Sequence, residues 1–362
     1  MKRHFLYIAA LSMVVLYGCS NDNSSVSKND QKQVEINLSS ELDESGLTRS
    51  FEATNIPVNS TVWVWADQIN ASNNERMDYF YAWRRTADGT GKLNGSSVRL
   101  FPATNVLNFY AMKGNFTTTI TEASTLLPEY DVDKGLDGIV HTVNADQTTA
   151  AAFHQSDLLY GQLKDQAATN SSVAIPFYHM LSRVQVVLIP GHGLITNNQL
   201  NAEDLHDAVV TILNVKNKVK FTADKTKNIA LVDPSTNDPE PGRALRQAML
   251  SLPAIDNDAA TITVKTEVST EGDLKDNSFG DAIVVPQTIP AGNFIKVEYL
   301  GRETYFRLTE PLELLSGKRY RFKLYLDRIG GTFEFNPVTV ETWGANSTTQ
   351  VSLDNLSSTS NL

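Results

Sequence analysis

Short runs in which apolar and polar positions alternate, separated by turn residues, recur along most of this chain. Residues 33–38 form the first, with Val34, Ile36 and Leu38 on one face. Residues 61–66 put Val62 and Val64 on one face and Trp63 and Trp65 on the other, so the strand belongs inside a sheet or under cover. Residues 77–85 are strand-like and aromatic (Tyr79, Phe80, Tyr81, Trp83), and Asp88-Gly89-Thr90-Gly91 reads as a turn. Residues 98–101 and 106–112 are further strands, whereas 113–150 hold few apolar runs and read as a long loop region. The strongest β signal is 173–189, where Val184, Val186 and Leu188 alternate with Gln185, Val187 and Ile189. Pro190-Gly191-His192-Gly193 ends it and marks a domain boundary.

Beyond that point 198–206 predicts one short helix. Strands are predicted at 209–215, 219–222, 248–252, 261–268, 282–285, 294–300 and 319–326, then at 332–335, 338–343 and, weakly, 349–353. In 319–326 the alternation points Tyr320, Phe322, Leu324 and Leu326 inward and Arg319, Arg321 and Lys323 outward. Short strands with frequent turns and almost no helix predict an all-β protein of the β-sandwich kind. The length of 362 residues suits two domains, 33–190 and 191–362.

The N-terminus follows a different pattern. Lys2, Arg3 and His4 precede an apolar stretch, 5–17, that is shorter than the ~20 residues a membrane-spanning helix needs and fits the core of an export signal. Leu16, Gly18 and Cys19 match a bacterial lipobox, in which a small residue precedes the cysteine that accepts lipid. Residues 1–18 then form a lipoprotein signal peptide and Cys19 the lipidation site; the alternative is an ordinary signal followed by an incidental cysteine. Residues 19–32, rich in Ser, Asn, Asp and Lys, read as a flexible tether. Residues 39–50 are polar and read as exposed, the setting in which proteases cut, although on polarity alone Arg49 is simply a solvated arginine.

Composition narrows the function. A formal charge of −10 argues against nucleic acid as a partner. A single cysteine rules out an intrachain disulfide and multi-cysteine zinc sites. The six histidines lack the spacing of a helical zinc motif, and Asp131–Gly138 departs from a calcium loop in the place of its glycine and in having Thr142 at the twelfth position. Phosphate-binding, dinucleotide-binding and nucleophile-elbow motifs are missing, so neither an enzyme nor a cofactor is expected. The aromatic group Tyr79–Trp83 reads as core sooner than as a sugar platform.

Phe177-Tyr178-His179-Met180-Leu181-Ser182-Arg183-Val184, following Asp157-Leu158-Leu159-Tyr160-Gly161, resembles the F-x-H-x-L-S-R-V segment of Bacteroidetes fimbrillin-family lipoproteins. Pro290-Ala291-Gly292, Gly317-Lys318-Arg319-Tyr320 and Trp343-Gly344 are similar to that family's closing pattern. The resemblance implies two tandem transthyretin-like β-sandwich domains and a structural subunit of cell-surface fimbriae (type V pili) that supports adhesion. It implies an outer-membrane lipoprotein precursor, cut by a trypsin-like protease between Arg49 and Ser50. Val34, Ile36 and Leu38 would be a self-complementing first strand, discarded so that a neighbour's strand can replace it. The implied partners are other fimbrial subunits and the outer membrane, with a host glycan or protein left open as ligand. One departure stands out: residues 345–362, where a donor strand would lie, are mostly polar. The alternatives are an uncleaved anchor or accessory subunit and a surface-anchored glycan-binding lipoprotein.

Overall fold

The alternating runs form, in chain order, β1 (Leu38–Leu42), β2 (Thr61–Ile69), β3 (Arg76–Ala87), β4 (Lys92–Asn94), β5 (Val106–Lys113), β6 (Tyr130–Asp131), β7 (Gly135–Leu136), β8 (Ile139–Thr142), β9 (Leu159–Gln166), β10 (Val173–His179) and β11 (Ser182–Pro190). They continue with β12 (Val209–Val215), β13 (Lys218–Phe221), β14 (Leu250–Ser251), β15 (Ala260–Lys265), β16 (Glu267–Val268), β17 (Ser278–Val284), β18 (Thr288–Ile289) and β19 (Gly292–Tyr299). The last are β20 (Arg302–Leu308), β21 (Leu312–Glu313), β22 (Lys318–Leu326), β23 (Thr339–Thr342), β24 (Thr348–Gln350) and β25 (Ser357–Thr359). Two short helices, α1 (Ala150–Ser156) and α2 (Arg243–Ala248), interrupt them. The structure is a computed structural model that describes residues 33–42, 55–70, 72–117, 120, 130–131, 135–136, 138–190, 202–229, 242–254, 258–268, 278–299, 301–326, 339–342, 348–350 and 357–359. Residues 33–362 make up one unit; the unit before it, 1–32, which holds the expected signal peptide and tether, lies outside the described residues. The protein is all-β, as its patterning predicts.

Strands β1, β10, β9, β5, β2, β3 and β4 hydrogen-bond in that order and close into a barrel. The closing piece is β4, where Leu93 lies opposite both Ala87 of β3 and Leu38 of β1. Patterning suggested two facing sheets here; β4 instead meets two edges at once, which removes the open edges. Its position follows from the Asp88–Gly91 turn. The Asp88 carboxylate accepts hydrogen bonds from the backbone of Thr90 (2.8 Å) and Lys92 (3.2 Å). Gly89 and Gly91 take the positive φ values (80° and 100°) that the turn requires. Inside the barrel Phe80 stacks edge-on against Trp83 with centroids 5.3 Å apart, and Phe109 meets Phe101 in the same way.

The second half is a sandwich. One sheet runs β16-β17-β11-β22-β23-β24 and the other β15-β12-β19-β20-β25. Phe322 of β22 meets Phe294 of β19 (5.5 Å) and Phe306 of β20 (5.4 Å) across the core. The chain passes from the barrel to this sandwich between His179 and Ser182, because β11 pairs with β17 and β22. Pro190 therefore ends a strand of the second set of sheets, where the sequence placed the end of the first domain.

Four other expectations change. Residues 113–150 hold β8, which joins β13 and β14 in a three-stranded sheet. The strand expected at 248–252 is the end of α2 and the two-residue β14. Of the helix expected at 198–206, the described residues, 202–206, hold a single 3-10 turn, Glu203–Leu205. Arg319 and Arg321 are only 5% and 4% exposed, so the outward face of β22 is covered where solvent was expected.

His141 of β8 is buried, and its Nδ1 accepts a hydrogen bond from the Asn115 N–H (2.9 Å). Nε2 therefore carries the proton and donates to the Ser156 carbonyl (2.8 Å). Burial pushes its pKa down to about 4, against the Ser156 bond that favours the charged form. The unfolded chain thus takes up a proton near pH 6.5 that the folded chain refuses. Stability contributed by His141 is present above that pH and falls as pH drops toward about 4, by ~3 kcal/mol in all. Urea titrations across this window are expected to show the fall in the wild type and a flatter profile in His141→Gln. Parallel profiles would overturn the assignment.

Candidate functional site

The candidate site is the first described segment and the slot that holds it. Side chains alternate from Val34 to Leu42: Ile36 (1% exposed), Leu38 (3%) and Ser40 (4%) are buried, and Val34 and Leu42 pack against the barrel core from partly buried positions. Glu35, Asn37 and Glu41 face solvent. The backbone is held on both sides. On one, the Ile36 N–H donates to the Arg99 carbonyl (2.8 Å), the Phe101 N–H to the Val34 carbonyl (2.8 Å) and the Ser40 N–H to the Gly91 carbonyl (2.7 Å). On the other, β1 lies parallel to β10, from Leu38 opposite Val173 to Leu42 opposite Phe177.

The first strand thus begins where patterning ended it. Residues 33–37 make a bridge at Glu35–Leu100, and the continuous strand runs on to Leu42. Ser39 and Ser40 carry no apolar signal, but parallel pairing satisfies the backbone without one, and the Ser40 hydroxyl donates to the Gly91 carbonyl (3.3 Å). Val34, Ile36 and Leu38 line one face of this segment. Cys19, Arg49 and Ser50 lie outside the described residues.

Filling the slot contributes substantially. Burying Ile36 and Leu38 stabilises by about 1.5–3 kcal/mol each. The residues that would lose their cover are Leu93, Phe101, Val173, Ile175 and Phe177, all buried in the same cluster. Without the segment the facing N–H and C=O groups of β10 and of 99–101 would form an unpaired edge, which another extended chain can satisfy.

The aromatic run of β3 has a different fate. Opposite Trp65 the strand bulges, with Ala82 at a φ of 40°. This brings Phe80 and Trp83, three residues apart, onto one face, where simple alternation would split them. Trp83 is 1% exposed, donates from Nε1 to the Ser97 hydroxyl (2.9 Å) and lies under the Arg85 guanidinium (4.2 Å). A sugar has no access to its ring, so it belongs to the core. Trp83→Ala is expected to cost ~3–5 kcal/mol in denaturant unfolding. An unchanged midpoint with lost polysaccharide affinity would restore the platform reading.

The segment that carried the family resemblance is architectural. His179 Nδ1 pairs with the Asp157 carboxylate at 3.0 Å. The Ser182 hydroxyl donates to the Leu315 carbonyl (2.9 Å), and the Gly317 N–H donates to that of Leu181 (2.9 Å). Arg183 forms a two-pronged pair with Asp281 at 3.1 and 2.5 Å. Tyr320 donates to the Glu313 carbonyl (2.9 Å) and accepts from the Leu315 N–H (2.8 Å). These side chains lock the passage from barrel to sandwich. Among the described residues no group of three or more His, Cys, Asp or Glu side chains is placed to hold a metal ion.

Fold and site together define an all-β protein whose barrel is completed by its own first strand. The chain belongs to the fimbrillin-like family, whose model matches residues 48–343. Among solved structures it is similar to a candidate cell adhesion protein from Bacteroides ovatus, with 14% identity and a TM-score of 0.55 over 87% of this chain and 99% of that one. A second candidate cell adhesion protein, from Bacteroides uniformis, shares 13% identity with a TM-score of 0.50 over 87% of this chain and 99% of the other. At these identities the likeness is one of fold. No curated protein matches the chain. Membership of the family makes this a fimbrial protein of the cell surface.

Proposed function

We propose that the chain is a structural subunit of type V fimbriae, made as an outer-membrane lipoprotein precursor anchored through lipid on Cys19. A trypsin-like protease cuts between Arg49 and Ser50. The segment ending in β1 then departs with the anchor, and a strand from a neighbouring subunit enters the slot. Partners are other fimbrial subunits, in a homo- or heteropolymer, and the assembled fimbrium supports adhesion. The protein works by strand pairing and not by catalysis, and it uses no cofactor.

The observation that carries this reading is the seating of residues 34–42. They are buried on one face and hydrogen-bonded along both edges, and they continue into the rest of the chain through 43–54, the stretch that contains Arg49. Cutting there would turn an internal strand into a separable one.

The test is trypsin-like treatment of the full chain, followed by N-terminal sequencing and size-exclusion chromatography. A new N-terminus at Ser50 with strand-exchanged oligomers is expected. A cleaved product that stays monomeric at high concentration, and joins no filament with partner subunits, overturns the assembly. For the anchor, Cys19→Ala is expected to move the protein out of the membrane fraction, and unchanged fractionation overturns lipidation.

A further inference from the structure

Asp67 of β2 and Asp78 of β3 face each other across adjacent strands at one end of the barrel. Like charges so placed repel, and burial makes the repulsion worse. Lys225 reaches them from a loop 158 residues further on, with Nζ 3.0 Å from Asp67 Oδ1 and 3.3 Å from Asp78 Oδ1. A tight turn presents it: Asp224 accepts from the Thr226 N–H (2.9 Å) and hydroxyl (2.6 Å), and the Lys227 N–H donates to the Asp224 carbonyl (3.2 Å). The Lys164 ammonium donates to the Lys225 carbonyl (3.2 Å) and holds the loop against β9.

The setting is dry and aromatic. Lys225 is 1% exposed and Asp67 is fully buried. The Tyr110 ring lies 6.0 Å from Nζ, and Tyr81 donates its hydroxyl proton to Asp78 Oδ2 (2.8 Å). Asp67 Oδ2 is buried with no hydrogen-bond partner, and Arg76 Nε lies 3.6 Å from it. As an ordinary ion pair this arrangement bears the desolvation cost of every charge in it.

We propose that Lys225 and Asp67 condense into an intramolecular isopeptide bond, with Asp78 as the proton carrier. The Lys225 ammonium gives a proton to Asp78, and the free amine attacks Asp67 Cγ, whose carboxyl is in its acid form. Asp78 returns that proton to the departing hydroxyl, which leaves as water, and then accepts the second proton shed by the attacking nitrogen, so that it ends in its acid form. One N–C bond forms and one C–O bond breaks, the amine and the carboxylic acid become an amide and one water, and no oxidant is needed. Burial pushes the Asp67 carboxyl up toward the acid form this step requires, and the bond from Asp78 acts in the same direction, against the pull of Lys225. Holding amine and acid in contact makes a slow bimolecular condensation intramolecular. The amide removes two buried charges and joins the barrel covalently to the loop after β13. This inference does not depend on the strand-replacement reading.

Peptide mapping of the full chain from its native host tests it. Trypsin is expected to yield a branched species joining residues 50–76 to residues 221–227, lighter by one water than the two peptides together, with no cut after Lys225. Linear 221–225 in full yield, with linear 50–76, overturns the bond. Asp67→Asn is expected to reach the same final mass as the wild type by releasing ammonia. Asp78→Asn is expected to leave Lys225 free in chain that elutes at the native volume. An Asp78→Asn chain that cross-links as fast as the wild type overturns the carrier role.

Discussion

Replacing both Ile36 and Leu38 by aspartate is expected to unseat the first strand. Each side chain is fully enclosed by the barrel core, so the change loses about 1.5–3 kcal/mol of apolar burial per residue. It also forces two carboxyls into an apolar cluster, which adds ~1–3 kcal/mol each even after they protonate. The sum approaches the ~5–15 kcal/mol that holds a typical domain together. The variant is expected to leave 34–42 detached and to self-associate through the opened slot, seen as a collapsed urea midpoint and as oligomers by light scattering. Leu38→Ala is the milder version, with an expected loss of ~2–5 kcal/mol. Glu35→Gln and Asn37→Asp face water and are expected to stay within ~0.5 kcal/mol of the wild type. A double aspartate variant that keeps the wild-type midpoint would show that the slot does not depend on its strand.

Asp281→Ala is expected to destabilise the chain by ~3–5 kcal/mol, because it leaves the Arg183 guanidinium buried without its carboxylate. Both side chains are 1% exposed, so water cannot take over. The pair also organises its neighbours: Gln185 lies 3.5 Å from Asp281 Oδ2, and Arg321 donates to Gln185 Oε1 at 2.6 Å. Removing both charges in Arg183→Met/Asp281→Leu is expected to recover most of the loss, since an apolar pair carries no desolvation cost. A double-mutant cycle in guanidinium checks this. Additive losses would mean that the two residues do not act on each other.

These results bear on how the family-like motif should be read. Phe177 to Val184 reads as a signature, and its side chains make structural contacts. Its residues alternate between barrel core, ion pairs and backbone clamps, all at the passage from β10 to β11. The tight Gly317 turn and the Tyr320 hydroxyl lock the same passage from the far end of the chain. Such a motif recurs in order along the sequence because each part touches a distant one.

Much of the fold was legible because strand periodicity is local. Residues 319–326 alternate cleanly and form a strand with Tyr320, Phe322 and Leu324 in the core, and 209–215 is a strand as predicted. The apolar Trp63 and Trp65 face of β2 correctly placed that strand between two others. What stayed hidden had no local signal. β8 is four residues long and becomes a strand only because β13 pairs with it. β20 reads Arg-Glu-Thr-Tyr-Phe-Arg-Leu, too charged to announce itself, yet it carries Phe306 and Leu308 into the core. The Ala82 bulge reassigns Phe80 and Trp83 to one face, and alternation cannot foresee an inserted residue.

The candidate site divides in the same way. The sequence by itself determined the apolar face at Val34, Ile36 and Leu38 and the β class, because each rests on neighbouring residues. Only the tertiary structure decided that this face closes a barrel between β10 and β4, and that the strand continues through two serines to Leu42. Only it brought Asp67, Asp78 and Lys225 together, and set Arg183 on Asp281. Backbone pairing and buried charge are satisfied by partners far away in the chain, and the identity of a distant partner leaves no mark on the local pattern.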